Sequence, residues 1–255
     1  GMGITGTLES VSDINTAALA SFYGKFYVPS NIIITAAGNI DHDKIVRLAE
    51  ERFSYSACKP EQYRRTAPPQ NEAKVFSGTH KGSQTHTLFC RKIDGSFHEK
   101  YPVLILNEFF SSGMSSRLQN KLRENRGLAY NLDSEIQRYS DSGSFGIYCS
   151  IDDKNLAETE DIIFSEMMKV AAGKITKAEV RRAKEQIKSS FIMENESMSA
   201  RMGSLAGKEF HNEPKLTSAE ILEMIESIPE SEISHAAGKY FNPDDWSKVI
   251  LRGEK

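Results

Sequence analysis

The chain lacks several features that would have fixed its class at once. Three cysteines, Cys58, Cys90 and Cys149, are spread over 255 residues. A disulfide framework or a zinc knuckle needs close, paired spacing, so they read as reduced structural cysteines. No apolar stretch approaches the roughly 18 residues of a bilayer-spanning helix, so no membrane span is expected. No leader-like apolar segment opens the chain either. Basic residues do not dominate: 32 Lys+Arg stand against 35 Asp+Glu, a net charge of −3. Nothing resembles a phosphate track, and no nucleic-acid partner is expected. Histidine is scarce too. None of His42, His80, His86, His98, His211 and His235 has another at i, i+4 around a glutamate, the helical spacing that sets two imidazoles on one zinc. His80 and His86 flank Lys-Gly-Ser-Gln-Thr with no acid placed to complete a site, and read as polar residues beside a turn. No metal site is expected in this chain.

What is present is an ordinary globular composition, 39% hydrophobic and 26% charged, at a length between one large domain and one and a half average ones. An internal repeat organises it. Residues 7–29, TLESVSDINTAALASFYGKFYVP, align without a gap on residues 221–243, ILEMIESIPESEISHAAGKYFNP. Leu8 falls on Leu222, Val11 on Ile225, Ile14 on Ile228 and Leu19 on Ile233, and Gly-Lys-aromatic-aromatic-x-Pro closes both copies. Each copy runs on into a strand-like segment, 31–38 and 246–253. The second copy closes a domain, whereas almost nothing precedes the first. The chain opens with Gly before Met, which resembles a scar of tag removal. Residues 1–56 are therefore expected to be the tail of one domain, 57–72 a proline-bearing linker, and 73–255 a complete sister domain.

The pass along the chain agrees. Asn15 or Thr16 caps a helix to Phe26, and 31–37 is a β-rich run. Asp41 caps a helix through Phe53 with Ile45, Leu48, Ala49 and Phe53 on one face. Strands are expected at 73–79, 84–92, 129–139 and 144–151, the last two joined by Ser-Asp-Ser-Gly. Helices are expected at 97–111 and from Asp152 or Asp153 to Ala172. Further helices start at the capping boxes Thr176/Glu179 and Thr217/Glu220. The order predicts an α+β fold, a mainly antiparallel sheet with helices on one face.

One corner concentrates unusual side chains: SSGMSSRLQNKLRENRGLAY, residues 111–130. Ser116 with Gln119 reads as a capping box, Leu118 and Leu122 as one apolar stripe, and Gly127 as the left-handed helix end. Arg123 then stands near the end of a short helix and Tyr130 at the start of a strand. From spacing alone, Arg123 pairing with an acid and Tyr130 packing under the sheet is the simpler reading.

The stretch NEFFSSGMSSRLQNKLRENRGLAYNLDSEIQRYSDSGSFGIYCSID resembles the second homologous domain of the M16 zinc peptidases, the pitrilysin and mitochondrial processing peptidase group. That pattern is a Gly-rich loop, S-R-L, L-R-E-x-x-G-L-A-Y, a hairpin and an aromatic strand. FYGKFYVPSNIIITAAGNIDHDKIVRLAEERF resembles the end of the family's first domain, and ITKAEVRRAKEQIKSS a later helix. Where the family has a glycine pair, this chain has Ser112-Gly113.

The resemblance implies a zinc site built from His-x-x-Glu-His on an early helix of the first domain, a motif absent here. It implies that Arg123 and Tyr130 reach a substrate peptide, with Gly113 and Ser116 of the adjoining loop as further contacts. On this reading the chain is the C-terminal region of a zinc peptidase, contributing substrate grip and cleft closure. The cofactor, zinc, would lie elsewhere in the parent. The alternative is a non-catalytic M16 subunit, a peptide-binding or scaffolding partner of an active homologue. Expected partners are a peptide or unfolded polypeptide and an N-terminal M16 domain or homologous subunit. A second copy of the chain is also a possible partner.

Overall fold

The computed structural model describes residues 3–53, 66–69, 72–111, 113 and 115–254. Most of the expected linker, with Cys58, lies outside the described residues, as do Ser112 and Met114. Two compact units are present: Gly1–Arg65 with Ser197–Asn212, and Thr66–Glu196 with Glu213–Lys255.

The larger unit is built on a five-stranded sheet. Its strands are β1 (Val75–Lys81), β2 (Thr85–Ile93), β3 (Ala129–Arg138), β4 (Gly143–Ile151) and β5 (Ser247–Glu254), in the order β1-β5-β2-β4-β3. All contacts between strands are antiparallel except β1 with β5. The expected α+β class and mainly antiparallel sheet are what the structure shows. Side-chain alternation selects the buried face. Thr85, Thr87, Phe89 and Ile93 of β2 and Phe145, Ile147, Cys149 and Ile151 of β4 are buried, while Leu88 between them is exposed.

Helix α9 (Glu230–Tyr240) packs on α4 (Phe97–Phe110) and on α5 (Leu156–Ala171), and α6 (Lys177–Glu196) packs on α4. At the centre Phe110 meets Phe241 edge-on at 5.0 Å, and Phe145 meets Trp246 at 5.6 Å. The indole N–H of Trp246 donates to the Tyr240 carbonyl at 2.9 Å, so the ring is buried without an orphaned donor. Two expected capping boxes form: Glu179 accepts from Thr176, and Glu220 from Thr217 at the start of α8 (Ser218–Ser227). Asp153 does not cap α5. Its carboxylate is taken by Thr85 (3.0 Å) and Arg252 (3.2 Å), and a short 3-10 turn leads into the helix instead.

The smaller unit holds α1 (Leu8–Ser12), α2 (Thr16–Phe26), α3 (His42–Arg52) and α7 (Met198–Phe210). Asn15 caps α2 and Asp41 caps α3, each accepting one backbone N–H. The repeat is repeated in the coordinates. Shifting α2 by the register of the alignment lands on α9 end to end, and the 3-10 turn Pro29–Asn31 lands on Pro243–Asp245. The strand-like segments differ. Residues 32–37 pair with no described strand, whereas β5 lies between β1 and β2. An extended segment becomes a strand only when a neighbour takes its backbone groups. The smaller unit offers none among the described residues.

Candidate functional site

The corner at 117–130 is anchored from below. Leu118 and Leu122 are fully buried, each burial contributing about 1.5–3 kcal/mol. They fix which side of the short helix faces inward. Its winding is not regular. Residues Gln119–Glu124 form a π-turn, in which the Asn125 N–H reaches back five residues to the Asn120 carbonyl at 2.9 Å. Gly127 ends it at φ +60°, the left-handed conformation expected. The Leu128 N–H then closes on the Leu122 carbonyl at 2.7 Å, one residue wider than the usual glycine-terminated helix end. β3 begins at once, and its register with β4 slips between Ala129 and Asn131. Tyr130 is the extra residue of a β-bulge, a device that re-aims a side chain.

Arg117 ties the start of this helix to the layer behind. It donates to both carboxylate oxygens of Glu179, at 2.7 and 3.0 Å, and to the Lys174 carbonyl at 2.7 Å. It also approaches Glu166 at 3.6 Å. Burial alone would raise the Glu179 carboxyl, but hydrogen bonds from Arg117 and Thr176 override it and hold the group at about 2. Glu166 is almost fully buried and takes Lys121 and Lys169 as ion partners. Burial pushes its carboxyl up, and the two lysines more than offset that and hold it below the ordinary range.

The four residues expected at the site divide. Arg123 is exposed, and Tyr130 is 71% exposed. Neither side chain makes a hydrogen bond, ion pair or ring contact among the described residues, so the simpler reading of a paired Arg123 and a packed Tyr130 does not hold. Gly113, at φ +79°, lines an open cavity of about 180 Å³ with Ser115, Glu108 and Arg182. Ser116 is turned inward: it is 1% exposed and its hydroxyl finds no partner among the described residues. This corrects the expectation for Ser116 as a surface contact. The capping box is also corrected. Gln119 does not reach back to Ser116. Its amide donates to the Leu132 carbonyl at 3.1 Å and to the Ser111 carbonyl at 3.4 Å. Spacing could not reveal this, because Ser-x-x-Gln reads the same whether the glutamine caps or reaches across to a strand.

His80 spends Nε2 on the Gln84 carbonyl (2.8 Å), and His86 spends Nδ1 on the Tyr148 hydroxyl (2.5 Å). Among the described residues no three His, Cys, Asp or Glu side chains stand close enough to hold a metal. No described helix is long and apolar enough to cross a membrane. Cys149 is fully buried, and burial pushes its thiol up to about 12.

A one-sided layer of helices on a five-stranded mixed sheet, with an Arg–Tyr corner at the mouth of its edge strand, defines the class to which comparison with known proteins then adds a family. The sequence model described as Peptidase M16 inactive domain matches residues 13–187, and the chain belongs to the M16 peptidase family. It is 28% identical over 250 residues to an uncharacterized zinc protease of Mycobacterium leprae, covering 95% of this chain and 56% of that protein. The crystal structure of a peptidase M16 inactive domain from Pseudomonas fluorescens superposes with a TM-score of 0.87 at 20% identity, over 99% of this chain and 61% of that one. A chain of complex III2 from Candida albicans superposes with a TM-score of 0.84 at 19% identity, over 98% of this chain and 62% of that one. The chain thus spans little more than half the length of the relatives it matches.

Proposed function

We propose that this chain supplies the peptide-gripping part of an M16 zinc peptidase, with Arg123 and Tyr130 as the residues that meet substrate. The observation that carries the reading is their lack of any partner among the described residues, on a corner otherwise held by buried leucines and a buried ion network. An exposed side chain on a rigid support is what a binding site requires. The Tyr130 hydroxyl can donate to a peptide carbonyl as it becomes an oxyanion. The Arg123 guanidinium can hold a second backbone carbonyl in its planar fork. Gly113 is read as a further contact, on the loop that leads into the short helix. Residues 1–56 are read as the closing part of a first M16 domain, the part of the family that carries His-x-x-Glu-His, and the two domains would close over the peptide.

The test is turnover of an unstructured peptide by a protein that joins this chain to such a domain. Tyr130→Phe is expected to lower kcat about 100- to 1000-fold with little change in KM. Arg123→Ala is expected to cost in both, because a backbone clamp acts before and during the reaction. Unchanged kinetics in both variants would overturn the reading. The likeness to a complex III2 chain supports a second reading, a partner subunit within an assembly. On that reading the same protein would bind peptide or a homologous subunit without turning it over.

A further inference from the structure

We propose that Gln119 is a positioning residue, a strut that sets Arg123 and Tyr130 at their working separation by bolting the π-turn to the free edge of β3. The proposal rests on the peptide-grip reading of that corner.

The geometry has three parts. First, both residues of the pair sit on backbone irregularities. Arg123 lies in a π-turn and Tyr130 at a β-bulge. Each inserts one residue into a regular ladder, and each needs tertiary support, because the regular form is locally the more stable one. Second, the half-buried Gln119 side chain bridges the two. It leaves the π-turn four residues before Arg123 and ends on the Leu132 carbonyl, two residues after Tyr130. Its second bond, to the Ser111 carbonyl, brings in the end of α4. A buried hydroxyl pair, Ser111 with Ser134 at 2.5 Å, fastens the same two elements beneath it. Third, Gln119 is not diverted to the helix start, where it would have been a capping residue. The Ser116 hydroxyl has no partner among the described residues.

The strut has a chemical consequence for how a peptide is taken. β3 is an edge of the sheet, and an edge strand ordinarily recruits extended peptides through its backbone. Here the Leu132 carbonyl is engaged by Gln119, and the Ser134 N–H by the Asp133 carboxylate at 2.9 Å. The first half of the edge is thereby closed to strand addition. A peptide arriving at this corner meets the Arg123 and Tyr130 side chains.

The test uses the 255-residue chain and a fluorescein-labelled unstructured peptide, with amide NMR of the same samples. Gln119→Leu keeps the bulk and removes the donor. Gln119→Glu keeps the shape and sets an acceptor against a carbonyl, and it serves where the leucine variant does not fold. Expected is a loss of peptide affinity of about 5- to 30-fold, with signals of Arg123 and Tyr130 displaced and melting little changed. In a variant already carrying Arg123→Ala and Tyr130→Phe, Gln119→Leu is expected to cost no further affinity, because the strut acts through those two residues. Wild-type affinity together with undisturbed Arg123 and Tyr130 signals would overturn the proposal. So would additive losses, which a general packing role would give. Where Arg123→Ala and Tyr130→Phe bind peptide like the wild type, the grip reading fails by itself. The NMR displacement in the Gln119 variants then decides the strut: displaced signals support it and unmoved ones refute it.

Discussion

Leu19 and Ile233 hold the same place in two copies of one helix, yet Ile233 is completely buried and Leu19 is 58% exposed. The contrast runs along the whole face. Ala236 and Ala237 are buried in α9, and their counterparts Phe22 and Tyr23 in α2 are exposed. The apolar face of α2 is exposed where that of α9 is buried, and contiguous apolar surface of this kind marks a contact site or an association hazard.

The first prediction follows from that contrast. Ile233→Ala is expected to lose about 2–5 kcal/mol by transfer and cavity effects, and Leu19→Ala to stay within about 0.5 kcal/mol. Denaturant melts of the two variants check it. Leu19→Lys with Phe22→Lys is further expected to reduce self-association in light scattering, as it breaks the patch without touching a core.

The second concerns acid. The Glu179 carboxyl is depressed in the folded chain, so its contribution is complete above the ordinary value near 4.5 and is lost as pH falls toward about 2. A stability–pH profile by chemical denaturation should fall across that window, and Glu179→Gln should flatten it. Arg117→Ala, which leaves two half-satisfied carboxylates behind, is expected to cost about 3 kcal/mol at neutral pH.

Gly127 gives a third. A side chain at φ +60° meets no neighbour there, so the cost of Gly127→Ala is conformational alone. It should be about 1–2 kcal/mol. The same change should weaken peptide binding, because Gly127 sits between Arg123 and Tyr130 and controls the turn that separates them.

Cysteine reactivity provides a fourth. With its thiol pushed up to about 12, Cys149 holds roughly one part in ten thousand as thiolate at pH 8. A thiol reagent on the native chain should leave it unlabelled, and denaturant should release it.

Much of the fold was legible because periodicity and caps act locally. The strands at 84–92 and 144–151 and the boxes at Thr176 and Thr217 lie within a residue or two of expectation. The failures share a cause. Residues 32–37 have strand composition but no described neighbour, and Asp153 is drawn away by Thr85 and Arg252. Gln119 has capping spacing, yet the stronger offer comes from carbonyls at Leu132 and Ser111. In each case the outcome turns on a partner beyond the local window, which is missing among the described residues for 32–37 and prevails over a local preference at Asp153 and Gln119. At the site, the Arg–Tyr spacing was visible in the motif, but the π-turn and the bulge were not. Neither leaves a compositional trace, since Leu118 and Leu122 would anchor an ordinary α-turn equally well.

The position of β5 bears on how the larger unit is made. Strand β1 is hydrogen-bonded to the sheet only through β5, which is inserted between β1 and β2. A ribosome must therefore release everything from Val75 to beyond Ser247 before the first strand finds a neighbour. Until then β1 and the flank of β2 wait with open backbone groups, and pairing so distant in sequence closes slowly. The larger unit is most exposed to misassembly in the interval before Ser247–Glu254 emerges to pair with β1 and β2.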